Sequence, residues 1–188
     1  MNDDDLKYLN SAPDGRCVIK TARLEIRELV RKNAGSVLNI LNECPSGSFF
    51  FPELDRILSG PGSDPETAEL TLGSLIASDI TDQYRFFGYG LWGVCLHGRI
   101  IGLAMLKNGS ASGICEIGYA VCEQYRRQGY MTEAMLAILE YARRSGFVKA
   151  QVRPSGNEQI SGEFFRNLRS EYYNGHDHSE VDSLSLTL

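Results

Sequence analysis

Arg126, Arg127, Gln128 and Gly129 form a basic turn between an apolar run, Ile114 to Cys122, and a helical pattern opening at Met131-Thr-Glu-Ala134. A strand that ends in a loop and starts a helix leaves the first helical N–H groups without intrahelical acceptors, and the helix dipole favours negative charge there. Gly129 lets the backbone approach a phosphate closely, and the two arginines add positive charge. The N–H groups from Gln128 through Gly129, Tyr130 and Met131 to Thr132 are therefore a candidate pyrophosphate site. The plainer alternative is an ordinary strand–helix–strand unit in which Gly129 merely ends a loop. Glu116 is the second chemical candidate. It lies in the apolar run on the strand face of Gly118 and Ala120, where desolvation raises a carboxyl group toward a range useful for taking a proton. Its alternative is a structural carboxylate held by an arginine or by backbone.

The helix that must present this turn is well specified. Met131, Met135, Ile138, Leu139 and Ala142 recur at i, i+4, i+7, i+8 and i+11, one continuous apolar stripe. Arg143 and Arg144 sit in its last turn and Gly146 follows as the expected C′ residue. Phe147 to Val152 then reads as the next strand. Upstream, a polar tail to about Arg16 precedes a strand in which Leu24 and Ile26 alternate with Arg23, Glu25 and Arg27. Arg31 to Cys44 reads as a helix with Val37, Leu38, Ile40 and Leu41 on its apolar side. Asp64-Pro65-Glu66 caps a second helix, with a stripe that includes Leu70, Leu75 and Ile76. Between these helices, a Gly-, Ser- and Pro-rich segment carries the aromatic cluster Phe49 to Phe51. Strands are expected over Tyr84–Leu96, Arg99–Leu106 and Gly113–Val121, a further helix over Asn157–Leu168, and a closing strand over Val181–Leu188. The order is βααβββ followed by αβαβ.

Composition points to one globular unit. The chain has 188 residues, 43% hydrophobic and 23% charged, which fits a single core and argues against general disorder. No apolar run approaches the roughly 20 residues needed to span a bilayer. The acidic start, Met-Asn-Asp-Asp-Asp, is unlike a secretory signal. Five cysteines, odd in number and without metal-ligand spacing, read as buried free thiols in a reducing compartment, so a cytoplasmic location and no metal are expected. His176 and His178 flank Asp177 in what reads as a solvated loop. A net charge of −5 argues against a nucleic-acid partner and is compatible with a cationic amine, the alternative being a modest acidic surplus that serves solubility. No membrane partner is expected, and the chain is read as a monomer or homodimer.

The loop Arg126-Arg-Gln-Gly129-Tyr-Met131 resembles the acetyl-CoA-binding motif of the GNAT acetyltransferase superfamily, Arg/Gln-x-x-Gly-x-Gly/Ala. Val121 lies five residues before it, as in that motif. Thr21-Ala-Arg-Leu-Glu-Ile-Arg-Glu-Leu29, Glu116-Ile-Gly-Tyr119, and Leu91-Trp-Gly-Val94 followed by Ile100-Ile-Gly-Leu103 resemble the branch containing the ribosomal-protein N-terminal acetyltransferases. The resemblance spans about residues 17–188. It implies an α+β, GNAT-like three-layer fold: a central mixed, mostly antiparallel sheet of six to seven strands with helices on both faces. One domain over 17–188 would follow a polar tail over 1–16.

The same resemblance implies acetyl-CoA as co-substrate, with the backbone of Val121 and Cys122 along the pantetheine arm and Asn157 near coenzyme A. It implies transfer of an acetyl group to a primary amine, on a peptide or protein N-terminus or a small molecule. Free amines, with pKa values of about 8 to 10.4, then need proton removal at neutral pH, and Glu116 occupies the position of the base. Many relatives protonate the leaving thiolate with a tyrosine; here Phe165 takes that place, and Ser161, one turn earlier, is the replacement candidate, with a plain helix-surface hydroxyl as its alternative. Met131 replaces a small residue in the phosphate motif, and Arg169-Ser170 replaces a Gly-Phe pair. These departures keep a second function open, an acyl-CoA-binding sensor or interaction protein without turnover. Trp92, Tyr89 and Phe49 to Phe51 are read as walls of an acceptor groove, with core packing the alternative for Trp92.

Overall fold

The computed structural model describes residues 15–43, 64–108, 112–152, 158–173 and 185–188, and over 158–162 the backbone alone. Among these, seven strands form one sheet in sequence order. In chain order the elements are β1 (Cys17–Lys20), β2 (Glu25–Glu28), α1 (Ala34–Asn42), α2 (Pro65–Leu75), α3 (Thr81–Phe87), β3 (Leu91–Leu96) and β4 (Arg99–Asn108). Then follow β5 (Ile114–Val121), α4 (Tyr130–Arg144), β6 (Lys149–Val152), α5 (Glu158–Tyr172) and β7 (Ser185–Thr187). All pairings are antiparallel except β5 with β6. The architecture is the mixed α+β sheet expected, with α4 and α5 on one face and the arm α1–α3 on the other.

Local chemistry accounts for most element boundaries. The Asp64 carboxylate accepts from Thr67 N–H at 2.9 Å, and Pro65 occupies the first helical position, as the sequence requires. The stripe of α4 is buried through Met131, Ala134, Met135, Ile138, Leu139 and Ala142. Its C-terminus closes as a Schellman motif. Gly146 N–H donates to Arg143 O, and Phe147 N–H to Ala142 O, both at 3.1 Å.

Four expectations are corrected. The strand expected over Tyr84–Leu96 begins only at Leu91, because Tyr84 to Phe87 complete α3 and Gly88, at φ +75°, closes it in the left-handed conformation. The aromatic run looked β-like in sequence, yet Tyr84 is buried as a helical residue whose hydroxyl bonds Leu91 O and Leu29 N. Leu70 does not belong to the buried stripe of α2: it is 63% exposed, whereas Ala68, Leu72, Ile76 and Ile80 are buried. A π turn at Ile76–Ile80 carries that four-residue spacing into α3. Ahead of the expected first strand lies an additional one, β1, joined to β2 by a turn in which Thr21 N–H donates to Leu24 O. Finally, α5 runs on to Tyr172, so Arg169 and Ser170 are helical rather than a stop.

The burial expected of the cysteines is found at Cys95, Cys115 and Cys122, whereas Cys17 is partly exposed. Cys17, Cys95, Cys115 and Cys122 are free thiols. Burial pushes the Cys95 and Cys115 thiols up to about 12, which leaves them protonated and inert. No helix among the described residues is long and apolar enough to cross a membrane. Cys44, Phe49 to Phe51, Asn157, His176 and His178 lie outside the described residues.

Candidate active site

The candidate site lies where β5 ends. Pairing of β5 with β6 covers only Ile114 to Ile117, matched with Lys149 to Val152. Gly118 to Val121 therefore has one edge without a strand partner among the described residues, while its other edge pairs with Gly102 to Met105 of β4. Cys122 N–H points back to Ile101 O at 3.0 Å. Strand alternation then aims the backbone polar groups of Tyr119 and Val121 at the open edge.

From that edge the chain passes through a 3-10 turn, Glu123–Tyr125, into the basic loop. Arg127 (φ +57°) and Gly129 (φ +76°) are both left-handed. Left-handed residues in such a loop curl successive N–H groups toward one concave side. Glu133 N–H is the first to find an acceptor, Gly129 O at 3.0 Å. Among the described residues none accepts from the amides of Arg127 through Thr132. Six backbone donors at the positive end of a 15-residue helix make an anion cradle without any side chain.

Side chains hold the loop rather than extend it. Arg126 donates Nε–H to Val121 O at 3.2 Å and a terminal N–H to Glu43 O at 2.9 Å. Expected to add positive charge for a ligand, it instead ties the loop to β5 and to the end of α1. Glu43 also accepts from Glu123 N–H at 2.8 Å, and Gln128 donates its side-chain amide to Gln124 O at 2.7 Å. Arg127 is exposed and has no partner among the described residues.

On the helix side, Glu133 accepts from Thr21 Oγ at 2.5 Å, from Arg23 N–H at 2.9 Å and from Arg23 Nε at 2.6 Å. Desolvation works to raise its carboxyl, but these hydrogen bonds and the guanidinium charge outweigh it and hold the group below its ordinary value. Arg23 also lies over the Tyr130 ring, 4.6 Å from its centroid.

Met131, where the motif has a small residue, is a buried residue in the first turn of α4. It is buried against Gly102, where a Cβ would lie 3.0 Å from the Met131 methyl and 2.5 Å from the Ala120 carbonyl. Only a glycine on β4 leaves room for both, so bulk in the loop motif is matched by its absence on the neighbouring strand.

Glu116 is 5% exposed and pairs across the strands with Lys107, whose Nζ lies 3.1 Å from its carboxylate. Burial alone disfavours an ionised carboxylate, whereas an ammonium at this distance supports it. The base read from the sequence thus comes with a counter-charge that the strand pattern did not reveal. Phe165 is fully buried, and its neighbour Phe164 packs on Tyr119 with ring centroids 4.3 Å apart. Ser161 lies in the first half of α5, beyond the described side chains.

Two of the aromatic residues read as walls, Trp92 and Tyr89, fall elsewhere. Trp92 is core, edge-on to Tyr141 at 5.7 Å. Tyr89 packs between Phe87 and Phe147 near the N-terminal end of β3, at the opposite end of β5 from the loop. Sequence reasoning missed Arg23, Glu133, Glu43 and Lys107. Their partners are 80 to 112 residues away for the first three, and no local pattern marks them. For Lys107 the hairpin register was the available signal.

Comparison with known proteins gives the family and the fold. The model of the acetyltransferase (GNAT) family matches residues 51–166, more than half of the chain. The chain belongs to the GNAT acetyltransferase family. No curated protein matches it in sequence. Among solved structures, a GNAT-family acetyltransferase from Bacillus anthracis is 18% identical, with 80% of this chain and 81% of that one covered and a TM-score of 0.58. RimL, a ribosomal L7/L12 alpha-N-protein acetyltransferase in complex with coenzyme A, is 16% identical over 81% and 82% of the two chains, with a TM-score of 0.59. An acetyl transferase from Salmonella typhimurium that modifies the N-terminal serine of ribosomal protein L7/L12 gives 16%, 81%, 83% and 0.59. Ribosomal-protein acetyltransferases thus stand among its structural neighbours.

Proposed function

We propose that this chain is an acetyl-CoA-dependent N-acetyltransferase that moves the acetyl group to a primary amine by direct attack in a ternary complex. The observation that carries the reading is the continuity of two features: the open edge of Gly118 to Val121 and the six unaccepted amides that follow it. An extended, amide-bearing arm fits the first and a pyrophosphate the second, which is the chemistry of coenzyme A. The donor set fits the group on the structure's own terms, since the cradle is made of backbone N–H and its floor requires glycine at 129. A neighbour of the same fold binds coenzyme A, and two act on a ribosomal protein, so a peptide or protein N-terminus is the first acceptor class to test.

In this reading the amine nitrogen attacks the thioester carbon, the C–N bond forms and the C–S bond breaks. Glu116, directly or through water, takes the proton that the nitrogen loses, and Lys107 holds the carboxylate in place. The thiolate takes a proton from Ser161 or from water; with a thiol pKa of about 8.5 it leaves readily either way. Phe165 has no part, because its ring is enclosed in the core. Val121 N–H lines the arm, with Cys122 only flanking it because its N–H donates to Ile101 O and its carbonyl accepts from Tyr125 N–H. Gln128 to Thr132 bind the pyrophosphate, and Arg127 supplies a cation without a partner among the described residues. We further read residues 17–188 as one domain after a polar tail, in the cytoplasm, as a monomer or homodimer without nucleic-acid, membrane or metal partners.

The Lys107–Glu116 pair favours one competing reading, an acyl-CoA-binding protein without turnover, in which Glu116 is purely structural. Thiol release from acetyl-CoA in the presence of N-terminal peptides, polyamines and small amines separates the two. Acceptor-dependent release supports the transferase. Tight coenzyme A binding with no release across the panel supports the sensor.

A further inference from the structure

Arg23 sits in the turn between β1 and β2, more than 100 residues before the loop it touches, and it touches that loop in three ways. Its Nε–H and its backbone N–H both donate to Glu133, its Nη1–H donates to Gln128 O at 3.2 Å, and its guanidinium plane covers the Tyr130 ring. We propose that Arg23 is the positioning residue of the pyrophosphate cradle, acting through Gln128, Tyr130 and Glu133 rather than on the ligand. This assignment rests on the acetyl-CoA reading above.

Two physical arguments support it. A trans peptide points its C=O and the following N–H in opposite directions. Holding the Gln128 carbonyl on Arg23 therefore directs Gly129 N–H away from Arg23, and that N–H finds no acceptor among the described residues. Without the anchor the peptide plane is free to rotate and carry the donor out of the cradle. The second argument concerns charge. Glu133 lies in the first turn of α4, close to the amides an anion must reach. A bare carboxylate there competes for the same positive potential and repels a pyrophosphate. Arg23 and Thr21 saturate it with three donors, so the helix terminus faces the ligand with its dipole uncancelled.

The test is calorimetric affinity for coenzyme A and for pantetheine, which lacks the pyrophosphate, in wild type, Arg23→Ala, Arg23→Lys, Glu133→Gln and the Arg23→Ala/Glu133→Gln double variant. Arg23→Ala should weaken coenzyme A binding about 10- to 100-fold, the range expected when a charge-assisted hydrogen bond is lost. Pantetheine affinity should stay within twofold. The double variant should recover part of the loss, because the uncompensated carboxylate is gone. Arg23→Lys should fall between, since an ammonium neutralises Glu133 but cannot also hold Gln128 O; with Glu133→Gln it keeps the test valid if Arg23→Ala does not fold. Coenzyme A affinity within twofold of wild type in Arg23→Ala, or equal losses for coenzyme A and pantetheine, overturns the assignment alone. A wild type with no affinity for coenzyme A overturns the acetyl-CoA reading with it.

Discussion

Replacing Gly129 with valine isolates the part of the cradle that depends on backbone conformation. Gly129 adopts φ +76°, and a Cβ there would lie 3.4 Å from Arg23 Nη2, an ordinary contact. The cost of the substitution therefore comes from the left-handed backbone, about 1–3 kcal/mol for a non-glycine residue and more for a β-branched one. That energy appears in one of two places. Where the loop keeps its shape, folding stability falls, by roughly 2–4 °C in Tm per kcal/mol for a domain of this size. Where the loop relaxes, the amides of Gly129 to Thr132 turn away, and the same energy divides coenzyme A affinity by about 5 to 150. The γ-methyl groups of valine also project over the donors, so the larger loss is expected, with the fold intact. Gly129→Ala carries the backbone cost without the extra methyls and should lie between. Calorimetry with coenzyme A, run beside thermal unfolding, reads both quantities. Undiminished affinity in Gly129→Val would show that the anion site is elsewhere.

Glu116→Gln should lower turnover by about 10²–10⁴-fold with little change in coenzyme A affinity, and a rate within twofold of wild type on a true acceptor reduces Glu116 to a structural partner of Lys107. Ser161→Ala should slow turnover modestly, most at high pH where protons are scarce; unchanged kinetics remove it from the mechanism. Phe165→Tyr should not restore that loss, and should cost about 1–3 kcal/mol in a denaturant melt by burying a hydroxyl; a faster enzyme would contradict the enclosed placement of the ring. Glu133 titrates below its ordinary 4.5 in the folded protein, so the unfolded chain binds the proton first. Its stabilisation is complete above that value and fades as pH falls through the lower folded one, so the Tm gap between wild type and Glu133→Gln should shrink with acidification. A gap that stays constant down to about pH 3 would refute the pairing.

How much of this was legible in the sequence depended on the range of the interaction. Local patterns carried far: the α4 stripe, the Asp64-Pro65 cap, the Gly146 stop and the strand–loop–helix passage all follow from residues within one or two turns of each other. The errors arose where local preference and tertiary packing disagree. Tyr84, Phe86 and Phe87 favour strands by type, yet Gly88 and the hydroxyl contacts of Tyr84 made them the end of a helix. Leu70 fell on the wrong side because the buried face of α2 runs through Ala68, Leu72 and Ile76, and two residues beyond Ala68 a helix has turned about 200° away from it. At the site, the donors were readable since they are backbone at a helix start. The braces were not, because Arg23–Glu133 and Arg126–Glu43 join segments distant in sequence.

The distribution of charge at the loop explains how a chain with a net charge of −5 is suited to holding a polyanion. The basic residues nearest the cradle serve mainly as braces. Arg126 is held by two carbonyls and Arg23 by Glu133 and Gln128, which leaves Arg127 as the cation of the motif without a partner among the described residues. Attraction then rests on oriented amides and the α4 dipole, a contribution of about 0.3–1 kcal/mol at an exposed terminus and up to about 2 where partly buried. Dipoles fixed in the scaffold lose little freedom on binding, whereas long basic side chains recruited from solvent must be ordered, at about 0.5–1.5 kcal/mol each. Fixing the arginines on the protein side therefore exchanges charge number for preorganisation. On the proposed acetyl-CoA reading, it also ties cofactor affinity to two distant pieces of the fold, the β1–β2 turn through Arg23 and the end of α1 through Glu43. Damage to either should be felt at the cradle although neither reaches the ligand.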